Sequence, residues 1–142
     1  MGLSKEQLNL IHTKEPIDYE IYELIYLINK VEGITTTSSC FGHNTKPIRI
    51  YCVADSIECL NKFMYDYFYC NSLISFKMLI SDKTIDAKNW SKIEFVIESD
   101  PHYIAYPCTQ LIADNLTRTF REKLSKEAFV EAYNRFIKEA EE

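Results

Sequence analysis

Alternating apolar and polar residues divide the chain into strand-like and helix-like segments. Every second residue is apolar at 48–53, 72–81 and 92–98, which predicts strands. Apolar residues at one-face helical spacing predict helices between 18 and 31, between 55 and 68, and over most of 109–142. Because 72–81 and 92–98 have no helical segment between them, they are expected to pair antiparallel. The pattern predicts an α+β fold, with a single mostly antiparallel sheet, helices packed mainly on one face, and a helical C-terminus.

Capping residues set the expected helix boundaries. Ser4 opens a capping box that predicts a short helix to residue 12, Asp18 is the expected N-cap of the next helix, and Gly33 its C′ residue. Asp55 opens a second capping box. A short strand at 103–106, a helix at 109–123 and a last helix from Ser125 complete the prediction. The residues expected to face inward from the helix that follows Asp55 are Ile57, Leu60, Met64, Tyr67 and Phe68. The apolar residues that keep helical spacing in the last helix are Phe129, Ala132, Tyr133, Phe136, Ile137 and Ala140.

Length and composition limit the class of protein. The 142 residues are 46% hydrophobic and 26% charged, as expected for one globular domain, so residues 1–142 are assigned to a single α+β domain. The chain has neither an 18-residue apolar run nor an apolar signal core, so no membrane partner and a cytoplasmic location are expected. A net charge of −5 argues against broad nucleic-acid binding. Five cysteines without a CxxC pair indicate reduced thiols.

One segment departs from the alternating pattern. Five hydroxyl residues at 35–39 follow Ile34 and lead into Cys40, Phe41, Gly42 and His43. Residues of these types favour a strand, but the run has no apolar face, and Gly42 permits positive φ. We therefore predict a strand that ends in an anion-binding or nucleotide-binding loop; the alternative is an edge strand whose hydroxyls face water. The predicted ligand-binding residues are Thr36, Thr37, Ser38, Ser39, Cys40, Phe41, Gly42, His43, Arg49, Tyr51 and His102.

Each of these residues has an expected role. Thr37, Ser39, Gly42 and His43 are assigned to anion contacts, and Arg49 to charge. Either Phe41 or Tyr51 would stack on a base, while His102 lies in the turn Asp100-Pro101-His102-Tyr103.

The same residues have the types that two other chemistries require. Cys40 and His43 have the spacing of half a zinc site that His102 and Cys108 would complete, but these two are six residues apart, so no metal is predicted. Alternatively, Cys40 is a nucleophile activated by His43 and oriented by Asp55 or Asp100; no catalytic residue is assigned. Arg118 and Arg121 are a candidate phosphate clamp. Tyr22 and Tyr26 are candidates for an interface or for a flank of the core.

The segment Thr36–His43 resembles the Thr-Thr-Ser-Ser-Cys-Ser-Gly-Arg motif of the tRNA wybutosine-synthesizing protein 3 family. The helix before it and the strand after it are also similar in order, so the resemblance covers about residues 18 to 60. Phe41 stands where that motif has serine, and His43 where it has arginine. The resemblance implies an S-adenosylmethionine-dependent methyltransferase of unusual α/β fold that acts on tRNA. The variant followed by Pro-Ile-Arg-Ile also resembles small uncharacterised phage and prophage proteins.

These observations predict a small cytosolic protein of phage or prophage type that binds a compact anionic or nucleotide-type ligand at the Thr36–His43 loop. Sequestering a nucleotide signal, an anti-defence role, would suit such a protein. No cofactor is expected, and a homo-oligomer is. The alternatives are an S-adenosylmethionine-dependent RNA-modifying enzyme and a protein-interaction module; whether the protein is an enzyme is left open.

Overall fold

The computed structural model of the chain describes residues 17–69, 71–79 and 92–141. The helix predicted from Ser4 and the polar connection predicted at 81–91, between the strands at 72–81 and 92–98, lie outside the described residues. The elements are a 3₁₀ turn (Tyr19–Ile21), α1 (Tyr22–Ile28), β1 (Ile34–Cys40), β2 (Arg49–Ala54), α2 (Ile57–Phe68), β3 (Ile74–Leu79), β4 (Ile93–Ser99) and α3 (Cys108–Glu141).

The four strands form one antiparallel sheet in the order β1-β2-β4-β3. Helix α2 connects β2 to β3, which run parallel to each other with β4 between them. Strand β1, which carries the hydroxyl run, lies at the edge of the sheet. The predicted α+β class, the antiparallel pairing of β3 with β4 and the helical C-terminus are confirmed.

The core lies between one face of the sheet and the three helices. Ile50 and Cys52 of β2 pair with Ile97 and Phe95 of β4, and all four are buried in one cluster with side chains of every helix. Aromatic rings fill the centre: the centroid of Phe63 lies 6.0 Å from that of Phe95 and 5.8 Å from that of Phe120. The alternating residues of β2, including Arg49 and Tyr51, therefore point to the opposite face, which we call the outer face.

A β-bulge explains why the hydroxyl run has no simple alternation. Thr36 pairs with Cys52 and Ser38 with Tyr51, so Thr37 is an extra residue in β1. As a result Thr36 and Ser39 both turn towards the core, while Thr37 and Ser38 are exposed. The hydroxyl of Thr36, fully buried, accepts a 2.7 Å hydrogen bond from the Asn29 amide at the end of α1.

Two predicted helix boundaries are wrong. Helix α1 ends at Ile28 with Asn29 as its C-cap, so Gly33 is not the C′ residue; with φ of +80° it lies in the turn into β1. At α2 the N-cap is Ser56 instead of Asp55, because the Ser56 hydroxyl accepts a 3.1 Å hydrogen bond from the backbone N–H of Cys59.

The buried face of α2 also differs from the prediction. Ile57 and Met64 are 46% and 36% exposed, although both were expected inside. Phe63 takes the central position instead, because its ring packs against rings from α2, α3 and two strands. Leu60, Tyr67 and Phe68 are buried as predicted.

Helix α3 is one continuous helix of 34 residues, so the predicted break before Ser125 is wrong. The predicted strand at 103–106 is also wrong, because these residues form bends, turns and irregular backbone. No glycine or proline interrupts the segment, so nothing in it stops helix propagation. Only its first half packs on the core, with Phe120 the last buried residue. Phe129 and Phe136, which keep helical spacing in the last predicted helix, are 70% and 65% exposed.

In the part of the chain that the structure describes, none of the helices combines the length and the apolar character that a membrane span requires.

Candidate functional site

The loop between β1 and β2 has a backbone conformation that only specific residues adopt. Gly42, His43 and Asn44 have φ of +94°, +49° and +67°. At Gly42 an added Cβ would lie 2.0 Å from the carbonyl oxygen of Lys46, so no other residue fits without movement of the backbone. The expected positive φ at Gly42 is confirmed.

The loop is tied together by its own hydrogen bonds and by one long-range contact. The carbonyl of Gly42 accepts hydrogen bonds from the backbone N–H groups of Thr45 (3.0 Å) and Lys46 (3.1 Å). The side chain of Asn44 accepts a 2.6 Å hydrogen bond from the N–H of Tyr106. Among the described residues the N–H groups of His43 and Asn44 have no partner, so two successive backbone donors remain for a ligand.

Asp18 holds the start of this loop. Its Oδ2 accepts a 2.8 Å hydrogen bond from the N–H of Phe41 and lies 3.2 Å from Nε2 of His43. Asp18 occupies the predicted N-cap position, at the 3₁₀ turn that precedes α1, but its side chain makes no cap hydrogen bond there. The N–H of Gly42 contacts Sγ of Cys40 at 3.4 Å. Donor atoms of Asp18, Cys40 and His43 all lie within 4.8 Å of one another, and we call these three residues the Cys40 cluster.

Sequence reasoning missed Asp18 as a site residue. It lies 23 residues before Phe41, and its position ahead of an apolar helical pattern resembled an ordinary N-cap. The fold brings the carboxylate to the loop through the hydrogen bond from the N–H of Phe41.

Arg49 lies beside the Cys40 cluster and is held by an ion pair. It is the ladder partner of Cys40, and its Nε donates a 2.8 Å hydrogen bond to Oε2 of Glu98. The second oxygen of Glu98 accepts from Lys77 at 3.1 Å. Burial alone would raise the pKa of Glu98, but the hydrogen bonds from Lys77 and Arg49 outweigh it and hold that pKa below its usual range. Among the described residues the two Nη groups of Arg49 have no partner, so they can still donate to a ligand.

Several predicted site residues point away from any surface ligand. Thr36 is fully buried, Ser39 is 7% exposed, and Phe41 is 4% exposed in the core cluster. The Phe41 ring is therefore unable to stack on a ligand in this structure. Tyr51, half-buried on the outer face opposite Ser38, is the aromatic that remains near Arg49.

His102 lies outside the Cys40 cluster. Its Nδ1 is 2.8 Å from Oδ1 of Asp100, and its side chain is 85% exposed. Hydrogen bonds from the backbone N–H and then the ring of His102 lower the pKa of Asp100. The segment that carries His102 meets the loop through the bond between Asn44 and Tyr106. Neither His102 nor Cys108 joins a group of three possible metal ligands among the described residues, so the structure does not bring together the four-residue zinc set that was an alternative to the prediction of no metal.

The two arginines proposed as a phosphate clamp line a different cleft. Arg118 and Arg121 lie with Tyr22 in a cleft of about 870 Å³ between the 3₁₀ turn and α3, where Arg121 pairs with Glu23 at 2.6 Å. The lining also includes two further acidic side chains, so acidic groups outnumber the arginines and the cleft does not favour an anion. The acidic residues lining it are Glu20, Glu23 and Asp114.

The remaining predicted residues have structural positions. Tyr22 and Tyr26 are partly buried against the core, so they are core flanks. Cys52 is buried, and burial raises the pKa of its thiol, as expected of a core cysteine.

No protein-family model, no curated protein and no solved structure matches this chain. The resemblance of residues 36–43 to the wybutosine-synthesis family therefore stays an expectation from the motif, and the assignment of function depends on the geometry.

Proposed function

We propose that this protein binds a compact anionic or nucleotide-type ligand at the loop that follows β1. The observation that carries the proposal is the pair of consecutive N–H groups at His43 and Asn44, which lie in the positive-φ turn after Gly42 and have no partner among the described residues. Such consecutive backbone donors form an anion-binding concavity in many phosphate sites. The loop is preorganised by Asp18 and Asn44, so its ordering costs little on binding.

Side chains around the loop extend the proposed contact surface. The Nη groups of Arg49 supply donors in a fork that fits phosphate or carboxylate oxygens. Ser38 adds an exposed hydroxyl, and Tyr51, its ladder partner, offers an aromatic surface for a base. Thr36, Ser39 and Phe41 shape the loop from the core side instead of touching the ligand.

Capture of the ligand, without turnover, is the form of this function that we favour. A Cys40 nucleophile requires hydrogen-bond contact with its base. Among the described residues no hydrogen bond joins Cys40 to His43, although Asp18 is placed to orient the imidazole. A cytoplasmic, phage-type protein that sequesters a nucleotide signal agrees with capture. An S-adenosylmethionine-dependent RNA-modifying activity, implied by the resemblance, is the alternative.

A pair of matched substitutions tests the binding site. Arg49→Gln and Lys77→Gln each remove one of the two cations bonded to Glu98, but only Arg49 is the ladder partner of Cys40. Thermal-shift and calorimetric titrations with phosphate, nucleotides, cyclic dinucleotides, ADP-ribose derivatives and S-adenosylmethionine identify a ligand, since binding at 100 times Kd adds about 2.7 kcal/mol of stability.

For that ligand we expect Arg49→Gln to raise Kd about tenfold or more, and Lys77→Gln to leave Kd within about twofold. Equal weakening by both substitutions, or no effect of Arg49→Gln, would contradict the location. Tight binding of S-adenosylmethionine alone would favour the enzyme alternative.

The expected homo-oligomer also remains a proposal, with a second copy of this chain as the partner. The second half of α3 carries Phe129, Tyr133, Phe136 and Ala140 at the alternating four-residue and three-residue spacing of a coiled-coil seam. These side chains are exposed in the single chain, and a seam of this kind is complementary to its own copy.

A further inference from the structure

The Cys40 cluster contains three different metal-ligating groups at one point. Nε2 of His43 and Oδ2 of Asp18 are 3.2 Å apart, and all three donor atoms, including Sγ of Cys40, lie within 4.8 Å of one another. In tetrahedral zinc sites with bonds of about 2.0–2.3 Å, neighbouring ligand atoms are about 3.3–3.6 Å apart. The cluster therefore needs only small side-chain movements to enclose one ion.

Backbone amides already orient two of the three donors. The N–H of Phe41 donates to Oδ2 of Asp18 at 2.8 Å, and the N–H of Gly42 donates towards Sγ of Cys40 at 3.4 Å. Outer contacts of this kind hold metal ligands in place and stabilise a carboxylate and a thiolate. The carbonyl of Gly42 also accepts hydrogen bonds from the N–H groups of Thr45 and Lys46, so the backbone that carries Cys40 and His43 is held in a hydrogen-bonded turn.

We propose that Asp18, Cys40 and His43 bind a divalent transition-metal ion, of which Zn²⁺ suits the mixed sulfur, nitrogen and oxygen donors best. Sequence reasoning predicted no metal, because it sought partners for Cys40 and His43 in His102 and Cys108. Binding releases the thiol proton of Cys40, and the neutral imidazole of His43 coordinates through Nε2 while its proton stays on Nδ1.

Three protein ligands leave the fourth position of a tetrahedral ion open. The His43 side chain is 62% exposed, so this position is reachable from solvent. In this role the site rests on the proposed function: the ion would take one oxygen of the bound anion, while the amides of His43 and Asn44 take others. The ion would also offset the negative charge of Asp18, which otherwise repels an anion at this loop.

Cobalt titration of chelator-treated protein tests the site without any activity assay. Co²⁺ is expected to bind one equivalent and to give visible ligand-field bands and a near-ultraviolet thiolate-to-cobalt band, all removed by excess Zn²⁺. Cys40→Ser should abolish the thiolate band, whereas Asp18→Asn and His43→Asn should each weaken Co²⁺ affinity tenfold or more. Asparagine is chosen at position 43 because it tolerates the left-handed backbone there.

Matched controls use the same chemical groups elsewhere in the chain. Cys108→Ser removes an exposed thiol and His102→Ala an exposed imidazole, and neither should change the spectrum or the affinity. The absence of a thiolate band in the parent protein would overturn the proposal, as would its persistence in Cys40→Ser. A melting curve for each variant shows whether it is folded, and His43→Asn, at an exposed position, keeps the test valid if Asp18→Asn unfolds the loop.

Phosphate titrations of metal-free and Zn²⁺-loaded protein separate this inference from the proposed function. Phosphate binding without any Co²⁺ or Zn²⁺ binding would reject the metal site and leave the anion site intact. Binding of Co²⁺ or Zn²⁺ would establish the metal site. If neither the metal-free nor the Zn²⁺-loaded protein then binds phosphate, a nucleotide or another anion from the panel, the anion site is rejected.

Discussion

Gly42 allows the chain to turn sharply between the paired antiparallel strands β1 and β2. Its positive φ places the Cα against the carbonyl of Lys46, and the two residues that follow continue in the left-handed region. A non-glycine residue in that region costs about 1–2 kcal/mol, so the strain at His43 and Asn44 has to be offset by the contacts of Asp18 and Tyr106. At this scale the site depends on a few backbone torsions.

Gly42→Ala should destabilise the protein by about 2 kcal/mol or more, because the left-handed penalty adds to a clash with the Lys46 carbonyl. Urea unfolding measures the change. Thr35→Ala, at an exposed position of β1, is the control and is expected within about 0.5 kcal/mol of the parent protein. A Gly42→Ala protein as stable as its control would show that the loop relaxes freely.

At the scale of elements, Glu98 links three strands across the outer face. Arg49 on β2 and Lys77 on β3 both donate to its carboxylate on β4. Because Glu98 is only 7% exposed, the ionised carboxylate depends on these two donors for the hydrogen bonds that water would supply. The same contacts hold Arg49 next to Cys40, so the strand network also positions a proposed ligand contact.

The lowered pKa of Glu98 gives this network a defined pH dependence. Its stabilising contribution is fully present above the ordinary pKa of 4.5 and is lost as the pH falls through the lower pKa of the folded state. Glu98→Gln should therefore lower the free energy of unfolding by about 1–3 kcal/mol at pH 7.

The difference between Glu98→Gln and the parent protein should shrink below about pH 4.5. Urea unfolding at several pH values measures it, with Glu122→Gln on the exposed side of α3 as the control. A difference that stays constant down to low pH would mean that ionisation of Glu98 contributes nothing.

At the scale of the whole molecule, α3 joins two unlike regions. Its first half closes the core with Ile112, Leu116 and Phe120, whereas beyond Ser125 its apolar side chains are mostly exposed in the single chain. Exposed apolar patches of this kind mark interaction surfaces. This surface is where we propose that a second copy of the chain packs.

Light scattering coupled to size-exclusion chromatography should find a mass above that of one 16.7 kDa chain. Phe136→Asp should reduce the mass to that of the monomer without lowering the stability of the core, because position 136 is 65% exposed. Asn134→Asp adds the same charge off the proposed seam and should leave the mass unchanged. A monomeric parent protein at high concentration would reject the interface.

Local pattern was sufficient to predict most elements. Alternation located β2 and β4 within one residue, and helical spacing located α2, because each element buries one face whose period is set by its own backbone. Strand β1 and the positive φ at Gly42 also followed from residue types. These properties depend on neighbours in the chain.

Tertiary structure decided what lies between the elements. The sequence indicates Cys40 and His43 as a candidate pair, but their third partner, Asp18, comes near them only in the folded chain. The bulge at Thr37, the depth of Phe41 and the exposure of Phe136 likewise depend on which surfaces meet. A sequence determines the period of each buried face, whereas contacts between residues far apart in the chain arise only when those faces pack together.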